Sequence, residues 1–415
     1  MGSVWQAFCE RTASGAWLEP RIITFATTLS MLGTAISFGA IVATATGTVD
    51  LFGRPLGTDF SSFWTAGSMA LEGQAPGAYV WELHRAVQTR LHRTDMFFPW
   101  SYPPSFLMVA ALLALLPYTL ALLVWQGVSA LAAIAVFRAI LPSGRALLVA
   151  AGFPAILICL GHGQTGFLTA ALLAGGVVLL QRFEIWAGVL FGLLAYKPQL
   201  ELLVPFVLIA GGYWRAIASA ALTVIVTVGL SVALWGWPVW QAFLDSVPIT
   251  RAIVFETGNT GWHKFQSVFA WARMWGGSVP LGYAAQGCVS AMVVLVCVLV
   301  WRSRTSHNLK GAALLSGALL SSPYVLDYDF IVFGMALAFF VAHALETGFR
   351  PWEKTLVAFA WFVPGLARVA AGEALIPLGF LTLAGFFVWV LSRSRADRRT
   401  RVAALQSPPY QAAIP

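Results

Sequence analysis

The chain has 415 residues, of which 59% are hydrophobic and only 10% are charged. A soluble domain carries about 25% Asp, Glu, Lys and Arg, so this composition excludes an ordinary soluble enzyme, a disordered chain and a disulfide-rich secreted scaffold. Strand-like alternation is absent from the apolar runs, which favours helices over a transmembrane barrel. The sequence therefore predicts an all-α, polytopic transmembrane protein with lipid as its main solvent.

Long runs without Asp, Glu, Lys or Arg mark the predicted spans, because a crossing helix needs about 20 mostly apolar residues. The first run is 22–49, and the runs 96–137 and 146–181 are each long enough for two helices. Pro117 divides 96–137, since proline removes a backbone hydrogen bond and clashes with the preceding turn. About twelve spans follow: 22–46, 105–117, 119–137, 146–160, 166–181, 186–212, 216–235, 280–301, 311–322, 330–345, 355–371 and 374–392.

Two long polar segments, 47–104 and 236–278, separate some of these spans. Connections of that length are usually functional or disordered, and these two are rich in aromatic residues, which favours function. We expect both to lie on the outer side of the membrane, with residues 22–392 forming one membrane domain. The run 22–49 is too long for the apolar region of a cleavable signal, so we expect it to remain as the first helix.

The basic tail, 393–415, sets the predicted orientation. Its arginines outnumber its one acid, Asp397, and the positive-inside rule places such a tail in the cytoplasm. Because the cluster directly follows a span, we do not expect nucleic-acid binding. An even number of spans puts both termini inside, in the cytoplasmic membrane of a bacterium. The same topology puts three arginines outside, against the rule: Arg138, Arg145 and Arg182.

Asp59 opens the aromatic segment 58–67, just beyond the first span. A carboxylate at the membrane–water boundary suits a general base that deprotonates an acceptor hydroxyl. Trp64 in the same segment is a candidate substrate contact. The structural alternative is that Asp59 caps the helix that follows it.

Tyr102 belongs to a second aromatic segment, 98–104, at the entry to the next span. Its two consecutive prolines fix an extended entry. An interfacial aromatic belt is the favoured role for Tyr102, with sugar stacking as the alternative.

Lys197 lies within an apolar run and is followed by Pro198 and Gln199. An ionisable residue inside a span is costly and usually marks a site, so Lys197 is a candidate to hold a lipid phosphate. Pairing with Glu201, four residues on, is the structural alternative. Gln199 is included as a neighbouring candidate.

His162 and Gln164 lie in a glycine-rich break between two predicted spans. They suit polar contacts to a ligand and suit a simple helix–helix turn equally well. His263 and Lys264, in the second outer segment, are further candidates for binding.

The segment 321–329 contains Tyr324, Asp327, Tyr328 and Asp329 between two spans. The two carboxylates suit a metal, sugar hydroxyls or a helix cap, and Asp-x-Asp is a weak metal pattern. Capping of the helix that starts at residue 330 is the favoured role of Asp329. No Cys-x-x-Cys pair or Cys/His spacing exists among the four cysteines, so we predict no metal and no cofactor.

Taken together, these segments resemble glycosyltransferase family 87, within the GT-C superfamily of polytopic glycosyltransferases. The matching positions occur in order over residues 58–329: Asp59-Phe60 through Phe63-Trp64, Ala66-Gly67, Leu71, Gly73, Tyr79, Tyr102-Pro103-Pro104, Leu116-Pro117, Gly163-Gln164, Ala187-Gly188, Lys197-Pro198-Gln199, Gln266-Ser267, Ser322-Pro323-Tyr324 and Tyr328-Asp329. The resemblance implies about a dozen spans, an acidic catalytic base in the first outer loop, a polyprenyl-phosphate sugar as donor and a lipid-linked or glycan acceptor. It gives the catalytic role to Asp59. Mannosyltransferases of the family carry a His-His pair where this chain has Tyr328-Asp329.

These observations lead to one hypothesis and two alternatives. The hypothesis is a metal-independent, inverting transfer of a hexosyl unit, mannose being one candidate, with Asp59 as general base. The first alternative is a transporter or flippase of lipid-linked sugars that uses Lys197 and His162 as a central site. The second is a non-catalytic assembly or lipid-polymer ligase partner.

Overall fold

The computed structural model describes residues 2–406, with side chains described for residues 5–398. Within that range the chain is helical and contains no strand. The helices are α1 (Gly2–Ser14), α2 (Pro20–Ala43), α3 (Phe60–Leu71), α4 (Trp81–His92), α5 (Pro104–Ala114), α6 (Tyr118–Ile140), α7 (Gly144–Ala151), α8 (Ala155–His162), α9 (Gly166–Leu179), α10 (Glu184–Leu193), α11 (Pro198–Glu201), α12 (Val204–Gly211), α13 (Trp214–Trp235), α14 (Trp237–Thr250), α15 (Val268–Met274), α16 (Val279–Arg302), α17 (His307–Ser321), α18 (Phe330–Thr347), α19 (Glu353–Ala374) and α20 (Leu378–Gln406). Short 3-10 turns are Ala75–Tyr79, Leu194–Tyr196, Trp262–Lys264 and Asp327–Asp329, and Arg251–Glu256 is a π-helical turn.

Six helical segments are long and apolar enough to cross a membrane unaided: α2, α6, α13, α16, α19 and Asp327–Thr347, which contains α18. The helices α7 and α8 together form a further candidate, bent by 58° at the break between them. Shorter apolar helices fill the rest of the bundle, among them α5, α9, α10 and α12. The prediction of a polytopic helical membrane protein is confirmed.

The bundle has a buried centre and a lipid-facing rim. In an apolar 18-residue stretch of Asp327–Thr347, 72% of the residues are buried, whereas the corresponding share in α2 and in α13 is only 6%. A helix that is apolar on all sides packs at the centre of a membrane bundle, and one that stays exposed while apolar faces lipid. The residues before α18 are therefore held rigidly from several sides, and this is where the polar groups gather.

Proline breaks two predicted helices. Pro117 separates α5 from α6, and the Lys197-Pro198 pair separates α10 with its 3-10 extension from α11. Both interruptions agree with the sequence prediction. The break at Pro198 matters for the site, because it places Lys197 between two helical segments in the interior of the bundle.

The predicted span 105–117 is wrong. At the start of α5 the Tyr102 hydroxyl donates a hydrogen bond to Gln164, and at its end the Tyr118 hydroxyl donates one to the Leu56 carbonyl. Gln164 bonds to Asp59, and Leu56 precedes Asp59 by three residues, so both ends of α5 lie at the Asp59 end of the bundle. Its 11 residues span only about 16 Å, too short to cross.

The position of α5 changes the predicted placement of Arg138 and Arg145, which the twelve-span topology put on the outer side. Because α6 starts at the Asp59 end, it carries both arginines to the opposite end, where Arg145 shares an apolar furrow with Lys354. A second contact shows at which end of the bundle Arg182 lies. Helix α9 also runs away from the site, and the Val177 carbonyl near its end accepts a hydrogen bond from the His307 ring at the start of α17. The three arginines thus lie at the end of the bundle opposite Asp59, and a topology that separates them from the basic tail is no longer needed.

The last helix does not end at residue 392, where the last predicted span ends. Helix α20 continues to Gln406, and Arg393 is buried, with its guanidinium 2.7 Å from Glu353. Asp397 then joins Arg393, Arg350 and His343. Arg393 is therefore part of the bundle, because a buried partner offsets its desolvation. The side chains of Arg399 and Arg401 and residues 407–415 lie outside the described residues.

The two predicted outer loops are largely helical. The first contains α3 and α4, and the second contains α14 and α15. A Cβ atom on Gly67 of α3 would lie 2.1 Å from the carbonyl oxygen of Ala110 in α5, so only glycine permits this backbone contact. The close approach fixes the direction of α3 and thereby the position of Asp59 at its start.

Candidate functional site

Three chain segments meet at one end of the bundle. They are the turn before α3, the connection between α8 and α9, and the 3-10 turn Asp327–Asp329 before α18. Two cations from other elements join them: Lys197 at the break after α10, and Arg368 from α19. Each segment is a helix end or a break, where backbone and side chains are free to take irregular contacts.

Asp59 occupies the position before α3 but does not cap it, since its side chain makes no hydrogen bond to the first turn. Instead, its Oδ2 accepts a hydrogen bond of 2.8 Å from Nε2 of Gln164. The ring of His162 lies 4.0 Å away, and the side chain of Asp59 is 27% exposed. The capping alternative is therefore wrong, and the carboxylate points into a solvent-accessible site.

The amide orientation of Gln164 follows from its other partners. The backbone N–H of Thr165 can only donate, and it lies 3.0 Å from Oε1 of Gln164. The hydroxyl of Tyr102 also donates to this oxygen, at 3.0 Å. The nitrogen Nε2 is therefore the atom that faces Asp59. Gln164 holds one carboxylate oxygen of Asp59 and leaves Oδ1 free of any hydrogen bond from the described residues.

His162 bridges Thr58 and Arg368. Its Nδ1 lies 2.8 Å from the Thr58 hydroxyl, and its Nε2 lies 3.3 Å from a terminal nitrogen of Arg368. Since a guanidinium can only donate, Nε2 must accept, and the ring proton belongs on Nδ1.

Arg368 is a site residue that the sequence reasoning missed. Its Nε lies 2.6 Å from Asp327, whose side chain is completely buried, while Arg368 itself is 34% exposed. The second oxygen of Asp327 has no partner among the described residues. The signal that singled out Lys197, a charge inside a predicted span, also applied to Arg368 within 355–371.

Lys197 and Asp329 form a buried ion pair, with Nζ and Oδ1 2.5 Å apart and exposures of 3% and 0%. The Thr165 hydroxyl lies 3.4 Å from the ammonium, and the Tyr328 ring lies 5.1 Å from it. Two structural alternatives are wrong: Lys197 does not pair with Glu201, and Asp329 does not cap α18. The other oxygen of Asp329 accepts the N–H of Leu326 and shapes the 3-10 turn.

Lys264 and His263 enter the cluster from the second outer loop. They lie half-buried in the turn Trp262–Lys264, which packs against α19. Burial, followed by the charge of Arg368, lowers the pKa of Lys264 from its ordinary value, while Asp59 and Asp327 oppose that change. Burial and the charge of Lys264 likewise lower the pKa of His263.

The charges of the cluster nearly cancel. Asp327 is paired with Arg368, and Asp329 is paired with Lys197. In the described part of the chain Lys264 makes no ion pair, and the one ionisable side chain that approaches Asp59 within 4.0 Å is His162. No group of three or more His, Cys, Asp or Glu within this range is arranged to hold a metal. The arrangement can therefore offer an acceptor oxygen at Asp59 and cationic donors at Lys264 and Arg368.

Three remaining candidates lie at the margin of the cluster or outside it. Trp64 donates its indole N–H to the Leu116 carbonyl, a contact that joins α3 to the end of α5. Gln199 is half-buried and makes no hydrogen bond to the cluster. Tyr324 packs on Phe265 and so connects the second outer loop to the turn before α18. Of these three, only Tyr324 adjoins the site.

Comparison with known proteins gives one match. The family model of glycosyltransferase family 87 matches residues 100–326, more than half of the chain. The matched range includes Tyr102, the segment 162–165, Lys197 and Lys264, begins after Asp59 and ends just before Asp327. No curated protein and no solved structure matches the chain.

Proposed function

Since the chain belongs to glycosyltransferase family 87 and is a membrane glycosyltransferase, we propose that Asp59 is its general base. The substrate class we propose is a polyprenyl-phosphate sugar, from which a hexosyl unit, mannose being one candidate, passes to a lipid-linked or glycan acceptor. We place the reaction at the outer face of a bacterial cytoplasmic membrane, with both termini in the cytoplasm. The observation that carries the proposal is the free oxygen of Asp59, with Arg368 linked to it through His162 and Lys264 close enough for the charge of Asp59 to act on its pKa.

The chemistry is a single displacement. The acceptor hydroxyl gives its proton to Oδ1 of Asp59 while its oxygen forms a bond to the anomeric carbon. The bond between that carbon and the phosphate oxygen breaks, and the sugar inverts. Because the leaving group is a phosphate ester that needs little protonation at neutral pH, one carboxylate suffices, unlike the acid–base pair of ordinary glycoside hydrolysis.

In this proposal Lys264 and Arg368, rather than Lys197, bind the phosphate of the donor. Lys197 is neutralised by Asp329 and buried at 3% exposure, so it is held away from an incoming anion. Lys264 makes no ion pair among the described residues, and Arg368 is partly exposed and binds Asp327 through Nε alone. Cations placed where phosphate charge develops lower the barrier to transfer.

The lipid tail has a path in an apolar furrow of about 1100 Å³, walled by α2, α6, α7, α18 and α19. Leu160, Phe167 and Ile331 line its site end. Leu160 precedes His162 by two residues and Ile331 follows Asp329 by two, so this end opens beside the charged cluster. A prenyl chain that leaves the phosphate enters the furrow without crossing the polar site.

The test is transfer by the purified, reconstituted protein from a panel of polyprenyl-phosphate sugars, with release of polyprenyl phosphate as the readout. We expect Asp59→Asn to lower kcat by about 10²- to 10⁴-fold. The matched control is Asp95→Asn, an exposed acid of the same loop, which should keep full activity. Normal turnover by Asp59→Asn would refute the mechanism. Movement of the donor across the membrane without a new glycosidic bond would support the transporter, and loss of activity on adding a chelator would refute metal independence.

A further inference from the structure

The furrow has a second end with different chemistry. Apart from Thr27, its lining is apolar except at the end opposite the site, where Arg145 and Lys354 are the only charged side chains among the described lining residues. Trp17 lines the same end, and its indole donates a 2.8 Å hydrogen bond to Thr355. An amphipathic aromatic ring of this kind is typical of the membrane–water boundary.

The two ends are far apart. Along α18 the furrow extends from Ile331 to Leu345, which at 1.5 Å per residue is about 21 Å. Lys354 directly follows Glu353, the partner of Arg393, so it belongs to the end of the bundle that carries the basic residues. A phosphate bound beside Asp59 does not reach these cations, and its hydrocarbon tail carries no charge for them.

Neither cation has an acidic partner in the part of the chain that the structure describes. Both side chains are exposed. Arg145 forms no ion pair, and the ammonium of Lys354 lies 5.6 Å from the ring of Phe349. Cations beside hydrocarbon favour an anion at the head-group level, and clusters of Lys and Arg at this depth attract anionic lipids.

We propose that this end of the furrow binds an anionic phospholipid from the leaflet opposite the site. Its phosphate lies between Arg145 and Lys354, and one acyl chain lies in the part of the furrow next to them, which leaves the site end of the furrow to the prenyl chain of the donor. The combination of a phosphate and a long hydrocarbon chain matches two cations that open onto an apolar channel. The proposal does not depend on Asp59 or on the transfer reaction.

The experiment uses the whole protein in nanodiscs that contain phosphatidylcholine and a small fraction of phospholipid with brominated acyl chains. Trp361 lines the furrow, so its quenching, taken as the difference between the wild type and Trp361→Phe, reports occupancy. We expect brominated phosphatidylglycerol to quench Trp361 at a mole fraction about 10- to 30-fold lower than brominated phosphatidylcholine, from the attraction of two cations. This comparison needs no variant at the cations.

Variants identify the cations. Arg145→Gln/Lys354→Gln should remove the preference for phosphatidylglycerol, while Arg138→Gln/Arg182→Gln should retain it, because those arginines do not line the furrow. Equal quenching by the two lipids would overturn the proposal, as would an equal loss of preference in the control pair. Added polyprenyl phosphate supplies a further check. If it relieves the quenching of Trp361 equally in the wild type and in the double variant, a prenyl chain fills the whole furrow, and the proposal is overturned.

Discussion

The amide nitrogen of Gln164 lies 2.8 Å from Oδ2 of Asp59, and the N–H of Thr165 fixes which end of the amide faces the carboxylate. Gln164 was a candidate for substrate binding in the sequence. Its geometry gives it a positioning role, because both polar ends of its amide are engaged by the protein.

Replacing Gln164 with Leu should lower kcat for transfer by about 10²-fold, since misplacement of a reacting group by about 1 Å has that effect. The KM for the donor should change little, because the phosphate contacts are elsewhere. Gln126→Leu is the matched control: this glutamine is equally buried, but both its polar atoms lack partners, so leucine there should be harmless. Wild-type kcat in Gln164→Leu would contradict the positioning role.

The Lys197–Asp329 pair should behave as a buried structural pair. Lys197→Met alone leaves a buried carboxylate without its partner, and we expect it to cost about 3–5 kcal/mol of stability. Adding Asp329→Asn should recover most of that loss, because asparagine removes the unpaired buried charge and keeps an oxygen that accepts the N–H of Leu326. Thermal unfolding of the reconstituted variants measures both. If the double variant is as unstable as Lys197→Met, a role beyond mutual neutralisation is required.

Lys264 should act on donor binding. Lys264→Gln removes the one cation of the cluster that has no ion pair among the described residues, so we expect a rise of about tenfold in the donor KM, from the loss of one charge-assisted contact. Stability should not change, since the residue is only half-buried. Lys310→Gln, at the far end of the bundle, is the control for net charge. Unchanged kinetics in Lys264→Gln would exclude this lysine from phosphate binding.

The first outer loop should loosen in acid. Burial lowers the pKa of His84 to about 3 and that of His92 to about 4, below the ordinary value of about 6.5. The unfolded loop therefore takes up protons first, and the stabilisation present above pH 6.5 is lost as the pH falls towards 4. The loss per histidine is at most about 1.4 kcal/mol per pH unit.

Hydrogen exchange of residues 81–92 at pH 7 and pH 5 measures this effect. Protection should fall at the lower pH in the wild type. His84→Leu/His92→Leu should abolish the pH dependence, because leucine does not titrate. Equal protection at the two pH values in the wild type would contradict the prediction.

Local sequence signals determined most of the elements. Apolar runs located the helices, and proline located the breaks at Pro117 and Pro198, because both signals act within a few residues. The run before Pro117 was misassigned as a span, since apolar composition alone does not distinguish a crossing helix from a short one that returns to the same side. Only the contacts of Tyr102 and Tyr118 made that distinction.

The sequence predicted which residues belong to the site but not how they contact one another. Scarcity of charge by itself singled out Asp59, Lys197, Asp327 and Asp329, since an ionisable side chain in an apolar chain is costly and needs a reason. The pairing of Lys197 with Asp329, and of Arg368 with Asp327, was decided by the tertiary structure alone. These partners are separated by 132 and 41 residues, and no local preference of the chain links them. Packing of helix ends brings them together, and it also decides which cations remain free to meet a phosphate.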